Sequence, residues 1–102
     1  MRVAVVMGSK SDLAKVEDAI LILKEYGVTA IELGAQSMSD KVLGMNNRGH
    51  KNEDVKIASK LIKDFGFSLG LQMMTGLYGS DNDTDIFTAK EITKLAPDTV
   101  RI

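Results

Sequence analysis

The sequence predicts an α/β fold with about four parallel strands and helical crossovers. Short runs rich in β-branched residues alternate with longer stretches whose apolar residues recur at helical spacing. Strands separated by helices run in the same direction, with right-handed connections. Residues 23–29 and 62–68 match in residue type, as expected where one βα unit is used repeatedly. Residues 1–102 are therefore predicted to form a single α/β domain.

Composition limits the classes of protein to consider. The 102 residues are 44% apolar and 26% charged, which is typical of one globular domain. The net charge of -1 gives no electrostatic reason to expect a nucleic acid partner. No apolar run approaches the roughly 20 residues that span a bilayer, so no membrane association is expected and the predicted location is cytoplasmic. The absence of cysteine excludes disulfides and cysteine ligands for a metal from these residues.

The first βα unit begins with the apolar run 3–7, which suits a buried parallel strand. Ser11 or Asp12 is predicted to cap the following helix. The apolar positions of that helix share one face: Val16, Ala19, Ile20 and Leu23. Gly27 is predicted to end the helix in the left-handed conformation, and a strand is predicted over 29–36.

The next units follow a long polar connection that contains a short helix at 38–45. Asn52 is predicted to cap a helix with a clear apolar stripe: Val55, Ala58, Ile62 and Phe65. A strand is predicted over 67–74. Asp83 or Thr84 is predicted to cap a last helix, whose expected buried side is Ile86, Ala89, Thr93 and Ala96.

The strands, with a final one over 99–102, are predicted to have one apolar and one polar face. The polar face would hold Glu32, Gln36, Gln72, Thr99 and Arg101 with Gly34 and Gly70. Doubly wound sheets bury both faces, whereas a polar, glycine-containing face is typical of a barrel wall that holds a ligand. A flavodoxin-like sheet and half of a (βα)8-barrel both remain open. In the second case a homodimer through the polar sheet face would cover it.

Two turns contain residues that can contact a ligand. Residues 8–12 precede a helix N-terminus, which can receive an anion or simply be capped. Two glycines after the third strand could cradle a ligand or form an ordinary turn. The candidate anion- or ligand-binding residues are Gly8, Ser9, Ser11, Asp12, Glu32, Gln36, Gln72, Gly76 and Gly79. His50 is expected to be solvated, and no catalytic residue, metal or cofactor is predicted.

Through the motif VAVVMGSKSD, the N-terminal segment, about residues 1–23, resembles the start of the carboxyaminoimidazole ribonucleotide mutases of purine biosynthesis. Those enzymes open with a strand, the motif G-S-x-S-D and a helix. The resemblance implies that Ser9, Ser11 and Asp12 stand where that family contacts the ribonucleotide and its phosphate. The next strand of that family ends in a motif with a proton-handling histidine, where this chain has Gly34-Ala35-Gln36-Ser37.

Residues from about 23 to 102 resemble radical S-adenosylmethionine enzymes of the elongator catalytic-subunit type, which modify transfer RNA. The matching motifs are LKEYGVTAIELGAQSMSD, NNRGH, ASKLIKDFGFSLGLQMMTGLYGSD and APDTVRI. The resemblance implies central strands of a βα barrel, with Glu32, Gln36 and Gln72 lining its cofactor cavity. The cluster motif C-x-x-x-C-x-x-C of that family is absent.

These two resemblances lead to the interpretation that the chain is an engineered chimera of fragments from two enzyme families. It is then expected to be a scaffold that folds but is not an enzyme. The alternative is a small phosphate- or nucleotide-binding module that uses the loops at the carboxyl ends of the strands.

Overall fold

A computed structural model describes the backbone of residues 2–5 and 12–102, and the side chains from residue 17 onward. The strands in this part are β1 (Arg2–Val5), β2 (Ala30–Gln36), β3 (Ser68–Met73) and β4 (Thr99–Arg101). The helices are α1 (Asp12–Glu25), α2 (Asp40–Met45), α3 (Asn52–Asp64) and α4 (Asn82–Lys94). The predicted alternation of strands and helices is confirmed. None of these helices has the length and apolar character needed to cross a bilayer.

The sheet has four strands, all parallel, which lie side by side in the order β1-β2-β3-β4. A flavodoxin-like sheet places its second strand outside the first, so its spatial order departs from chain order. In a βα barrel each strand lies beside the one before it. The strand order therefore decides between the two architectures that the sequence left open, in favour of half a barrel.

The core lies between one face of this sheet and the helices. Ile31 is level with Leu69, and Leu33 is level with Leu71, and all four are at most 1% exposed. The helices cover them with a further set of buried residues: Ile20, Val55, Ala58, Ile62 and Ile92. Burying a leucine or isoleucine fully contributes about 1.5–3 kcal/mol, so each of these side chains stabilises the packing of the helices on this face.

Two helix ends have the glycine geometry that the sequence predicts. Gly27 follows α1 with φ +81° and Gly66 follows α3 with φ +86°. The N–H of Val28 donates to the Leu23 carbonyl at 3.1 Å, and the N–H of Phe67 donates to a carbonyl of the last turn of α3 at 3.2 Å. Each end therefore has a left-handed residue and a six-residue closing hydrogen bond, and the internal sequence repeat is also a structural repeat.

The cap predicted for α3 is wrong by one residue. The N-cap is Lys51, whose N–H donates to the Asp54 carboxylate at 2.8 Å. Asn52 is already in the helix, and its N–H donates to the Asp40 carboxylate at 2.8 Å. Asn52 therefore connects α3 to α2, because an orphan N–H of the first turn finds a partner in the neighbouring helix.

The cap and the buried side of α4 also differ from expectation. Asp81, rather than Asp83 or Thr84, is the N-cap residue. The helix buries Thr88 and Ile92, whereas Ile86 is 52% exposed. The prediction was wrong because it followed the apolar residues, while the helix is oriented by a buried threonine hydroxyl. That hydroxyl accepts a hydrogen bond from the Met38 N–H at 3.1 Å and lies 3.2 Å from the Ser37 hydroxyl.

Candidate ligand-binding face of the sheet

The face of the sheet opposite the helices, called the inner face below, carries polar side chains and glycines. The strand register arranges them in two rows that run across β2, β3 and β4. The first row is Glu32, Gly70 and Thr99, and the second is Gly34, Gln72 and Arg101. The predicted polar face is thus present, and its members come from three neighbouring strands.

An ion pair crosses this face. The guanidinium of Arg101 lies 2.5 Å from a carboxylate oxygen of Glu32. The Glu32 side chain is 9% exposed, whereas that of Arg101 is 66% exposed. A nearly buried carboxylate needs a partner because its desolvation is costly. Arg101 is that partner, and its exposed remainder stays able to meet a ligand.

Gly70 leaves room for the side chains of Glu32 and Thr99 in the first row. It lies on β3 between the two charged residues, and a Cβ built on it would stand 2.8 Å from the Thr99 hydroxyl and 3.4 Å from the Glu32 Cγ. Only a residue without a side chain fits between these groups. In the second row, a Cβ on Gly34 would lie 3.5 Å from the Gln72 side-chain oxygen, so the Gln72 amide lies over Gly34.

Gln36 has an unusual backbone at the carboxyl end of β2. Its φ is +65°, a left-handed value that costs a residue with a side chain about 1–3 kcal/mol. The ladder with β3 shifts between Gly34 and Gln36, so that Gln36 is opposite Met73, and its carbonyl accepts from the Met74 N–H at 2.8 Å. Such bulges re-aim side chains next to active sites, and ligand sites of barrels lie at this end of the strands.

The loop after β3 is held in place by side chains. The Asp85 carboxylate accepts from the Ser80 hydroxyl at 2.6 Å and from the Gly76 N–H at 3.3 Å. Gly76 and Gly79 have φ of +70° and +83°, which a glycine adopts without strain. Turn geometry therefore accounts for both glycines, and their contact with a ligand stays a prediction.

His50 is buried, although the sequence analysis expected it to be solvated. It is 2% exposed, and its Nε2 lies 3.2 Å from the Ala35 carbonyl oxygen. The polar loop that carries it folds back against the end of β2. Within the described residues, His50 Nδ1 and Arg48 Nε are buried without a hydrogen-bond partner. Sequence reasoning missed Arg48, although the motif NNRGH contains it.

The first predicted turn is largely outside the described residues. This applies to Gly8, Ser9 and Ser11. Asp12 begins α1, and only its backbone is described. The anion site proposed for this turn stays a prediction, as does the homodimer through the polar face.

A parallel sheet in barrel order, with helices on one face and polar groups on the other, defines part of a βα-barrel wall. The chain belongs to the Radical SAM superfamily, which it matches over residues 3–91. SAM denotes S-adenosylmethionine.

Individual relatives agree with this assignment. The chain is 36% identical to the tRNA uridine(34) acetyltransferase of Methanocaldococcus jannaschii over 84% of its own length and 16% of that protein. It is 34% identical to the enzyme of the same name from Methanocaldococcus infernus over 98% of its length and 19% of that protein. A solved structure of Methanocaldococcus infernus Elp3 superposes with a TM-score of 0.77, at 29% identity, and covers 97% of this chain and 23% of the other. The chain thus spans less than a fifth of these two curated relatives.

These similarities correct the interpretation of the chain as an engineered chimera. The superfamily match begins at residue 3 and includes the segment that resembles the purine enzymes, so no separate origin of that segment is supported. The relatives are natural enzymes. The chain was expected to be a scaffold without catalytic function and not an enzyme. Both expectations are wrong, because the chain matches a part of natural enzymes.

Proposed function

We propose that this chain forms half of the barrel wall of a radical SAM enzyme that modifies transfer RNA, with its inner face lining the cofactor cavity. One observation carries the proposal, namely the Glu32–Arg101 ion pair on a face that the described helices leave uncovered. Closed barrel interiors that serve only stability are filled with branched apolar side chains. Charged and amide groups on this face are better suited to a polar ligand.

The chemistry of the inner face fits S-adenosylmethionine. This ligand presents ribose hydroxyls, an adenine ring and an amino acid group with both charges. Gln36 and Gln72 carry amides that donate and accept hydrogen bonds, and the Glu32 carboxylate accepts them. Arg48 is not on the inner face but in the loop after α2, and its Nε is buried without a partner in the described residues.

An iron–sulfur cluster does not fit the residues of this chain. Such clusters are held by thiolates, and none of the 102 residues is cysteine. Among the described residues, no group of three histidine, aspartate or glutamate side chains could hold a metal ion. We therefore assign only binding and orientation to this chain, and no chemical step through a cluster.

A transfer RNA substrate is proposed from the names of the relatives, which are tRNA uridine(34) acetyltransferases. The net charge of -1 led to the expectation of no nucleic acid partner. A net charge averages over the whole chain, however, and says nothing of a local excess of lysine or arginine. Four lysines do gather at one place on the surface, between α3 and α4.

Binding of S-adenosylmethionine to the isotope-labelled chain, followed by NMR, tests the cofactor proposal. We expect shifts of backbone amides at Glu32, Gly34, Gln36 and Gln72, with a dissociation constant in the micromolar to millimolar range for half a cavity, which corresponds to about -4 to -8 kcal/mol. Aminoimidazole ribonucleotide serves as a comparison ligand, because it carries a phosphate but no amino acid group.

The test variant is Glu32→Gln, which removes one negative charge from the inner face. Its matched control is Glu25→Gln, which removes one negative charge from an exposed position on α1. Glu32→Gln should weaken binding at least tenfold, while Glu25→Gln should leave it unchanged. Shifts confined to residues outside the inner face, or equal effects of the two variants, would contradict the proposal.

A further inference from the structure

The outer surface of the molecule carries a basic groove between α3 and α4, on the helical side of the sheet. Its cavity has a volume of about 310 Å³, at the lower end of the range for small-molecule sites. Four lysines line it: Lys56, Lys60, Lys63 and Lys94. Those of α3 fall at intervals of four and three residues and therefore share one face of the helix. This groove is separated by the sheet from the inner face.

The charges in the groove are only partly balanced. Lys60 lies 3.2 Å from the Asp64 carboxylate, and Lys94 lies 3.2 Å from the Glu91 carboxylate. Four ammonium groups thus face two carboxylates, which leaves an excess of two positive charges. Surface pairs of this kind bind weakly and exchange readily for another anion. Lys56 has no carboxylate partner among the described residues.

Lys63 has a different role from the other lysines. Its ammonium group donates to the carbonyl oxygens of Leu95 at 3.4 Å and Ala96 at 3.0 Å. These carbonyls follow the last turn of α4, where a cation is favoured by the helix dipole. Lys63 therefore holds the two walls of the groove together and keeps their separation.

A buried hydroxyl at the wall of the groove supplies an independent observation. Ser59 is 1% exposed, lines the cavity, and its Oγ has no hydrogen-bond partner in the part of the chain described. A buried hydroxyl without a partner costs about 1–3 kcal/mol, and most buried polar side chains in proteins avoid that cost. The hydroxyl thus lies beside the lysines without an acceptor in the described part of the chain.

We propose that this groove binds a phosphate group, with Lys56 and Lys60 supplying charge and the Ser59 hydroxyl donating a hydrogen bond. Phosphate oxygens accept several hydrogen bonds and carry negative charge that balances the groove's excess of two positive charges. The phosphate can belong to a polynucleotide strand or to a free nucleotide. The suggestion that the phosphate belongs to a polynucleotide rests on the proposed function. The suggestion that the groove binds phosphate does not.

Fluorescence anisotropy with a labelled single-stranded RNA of about ten nucleotides, and NMR titration with ATP, test the two sources separately. The test variant is Lys56→Gln with Lys60→Gln, and its control is Lys41→Gln, which removes an exposed lysine of α2. At about 50 mM salt we expect the affinity for RNA to fall roughly tenfold for each groove lysine removed, and the slope of log K against log salt to fall by about 0.7 for each. Lys41→Gln should change neither quantity by a comparable amount.

Ser59→Ala separates ligand binding from a structural role. It should weaken binding of the phosphate ligand without lowering the midpoint of urea unfolding, because the hydroxyl has no internal partner to lose. Weakened binding of RNA alone assigns the site to a polynucleotide, and weakened binding of ATP alone assigns it to a free nucleotide. If neither ligand binds, or if the groove variants behave like Lys41→Gln, the inference is wrong. The cofactor proposal is tested with inner-face variants and is unaffected by that result.

Discussion

Glu32 and Arg101 form an ion pair although their strands, β2 and β4, are not neighbours in the sheet. β3 lies between these two strands, with Gly70 level with Glu32 and Gln72 level with Arg101. The pair therefore depends on three strands at once, and it fixes the position of a nearly buried charge on the inner face. Substitutions of the pair, and of the backbone positions around it, should have distinct effects on stability and binding.

Removal of one partner of the pair should cost more than removal of both. Arg101→Ala leaves the Glu32 carboxylate unpaired, whereas the double variant with Glu32→Gln also removes the charge. Because Arg101 is largely exposed, we expect a coupling energy of only about 1 kcal/mol. Urea unfolding of the wild type, both single variants and the double variant measures it. Strictly additive effects would show that the pair does not form in solution.

Gly70→Ala should destabilise the protein by about 1–3 kcal/mol, because the new methyl group would meet the Thr99 hydroxyl and the Glu32 side chain. Gly44→Ala is the matched control. Gly44 lies in α2, and a methyl group added to it would have nothing within 4 Å, so alanine there should stabilise the helix by about 0.5–1 kcal/mol. Both changes are measured by chemical denaturation, and effects of the same sign would contradict the described packing.

Gln36→Gly should stabilise the fold by about 1 kcal/mol, since glycine adopts a positive φ without the cost that a side chain imposes. The same change should weaken binding of S-adenosylmethionine by removing the amide. Ala96→Gly is a control for the backbone effect, because Ala96 has φ +50° in the turn after α4 and is not one of the inner-face residues. It should stabilise the fold and leave binding unchanged. Loss of stability in both variants would rule out the left-handed conformations.

Thr88→Val should destabilise the protein by about 2 kcal/mol, because the Met38 N–H and the Ser37 hydroxyl lose a buried partner. Thr93→Val, at an exposed position of the same helix, should change the free energy of unfolding by no more than about 0.5 kcal/mol. Thermal and urea unfolding report both. Similar effects of the two substitutions would mean that Thr88 is not buried.

The pKa of Asp81 is lowered from its ordinary value by hydrogen bonds from the backbone and side chain of Thr84. The folded state therefore favours the carboxylate, and this stabilisation is present above the unfolded pKa and is lost as the pH falls through the folded pKa. Asp81→Asn keeps a capping side chain without an ionisable group. The difference in Tm between wild type and variant should shrink as the pH falls from about 6 to about 3. A difference that grows over this range would contradict the assigned direction.

Much of the fold follows from short-range patterns. The alternation around Ile31 and Leu33 predicted a strand with one buried face, and Gly27 and Gly66 predicted two helix ends. Patterns failed where a buried contact is polar. In α4 the buried residue is Thr88, whereas the apolar Ile86 is exposed. His50 is buried although it lies in a polar loop, whose composition predicts solvent exposure.

The candidate site was predicted only in part. Glu32 and Gln72 were placed on one face by alternation alone, and Arg101 was placed with them. The left-handed backbone of Gln36, the bulge before it and the unpartnered Arg48 Nε were not predictable, because each depends on how a loop packs against a strand end. The resemblance to radical S-adenosylmethionine enzymes is confirmed, whereas the resemblance to the purine enzymes misled, since a short shared motif at the start of the chain was taken for a separate ancestry.

By itself, the sequence determined the βα repeat, the two faces of each strand and the glycine-closed helix ends, because these depend on residues a few positions apart. Only the tertiary structure decided the strand order, the ion pair between β2 and β4 and the basic groove between α3 and α4. These features join residues that are distant in the chain, and their energies arise only when the strands and helices have packed together.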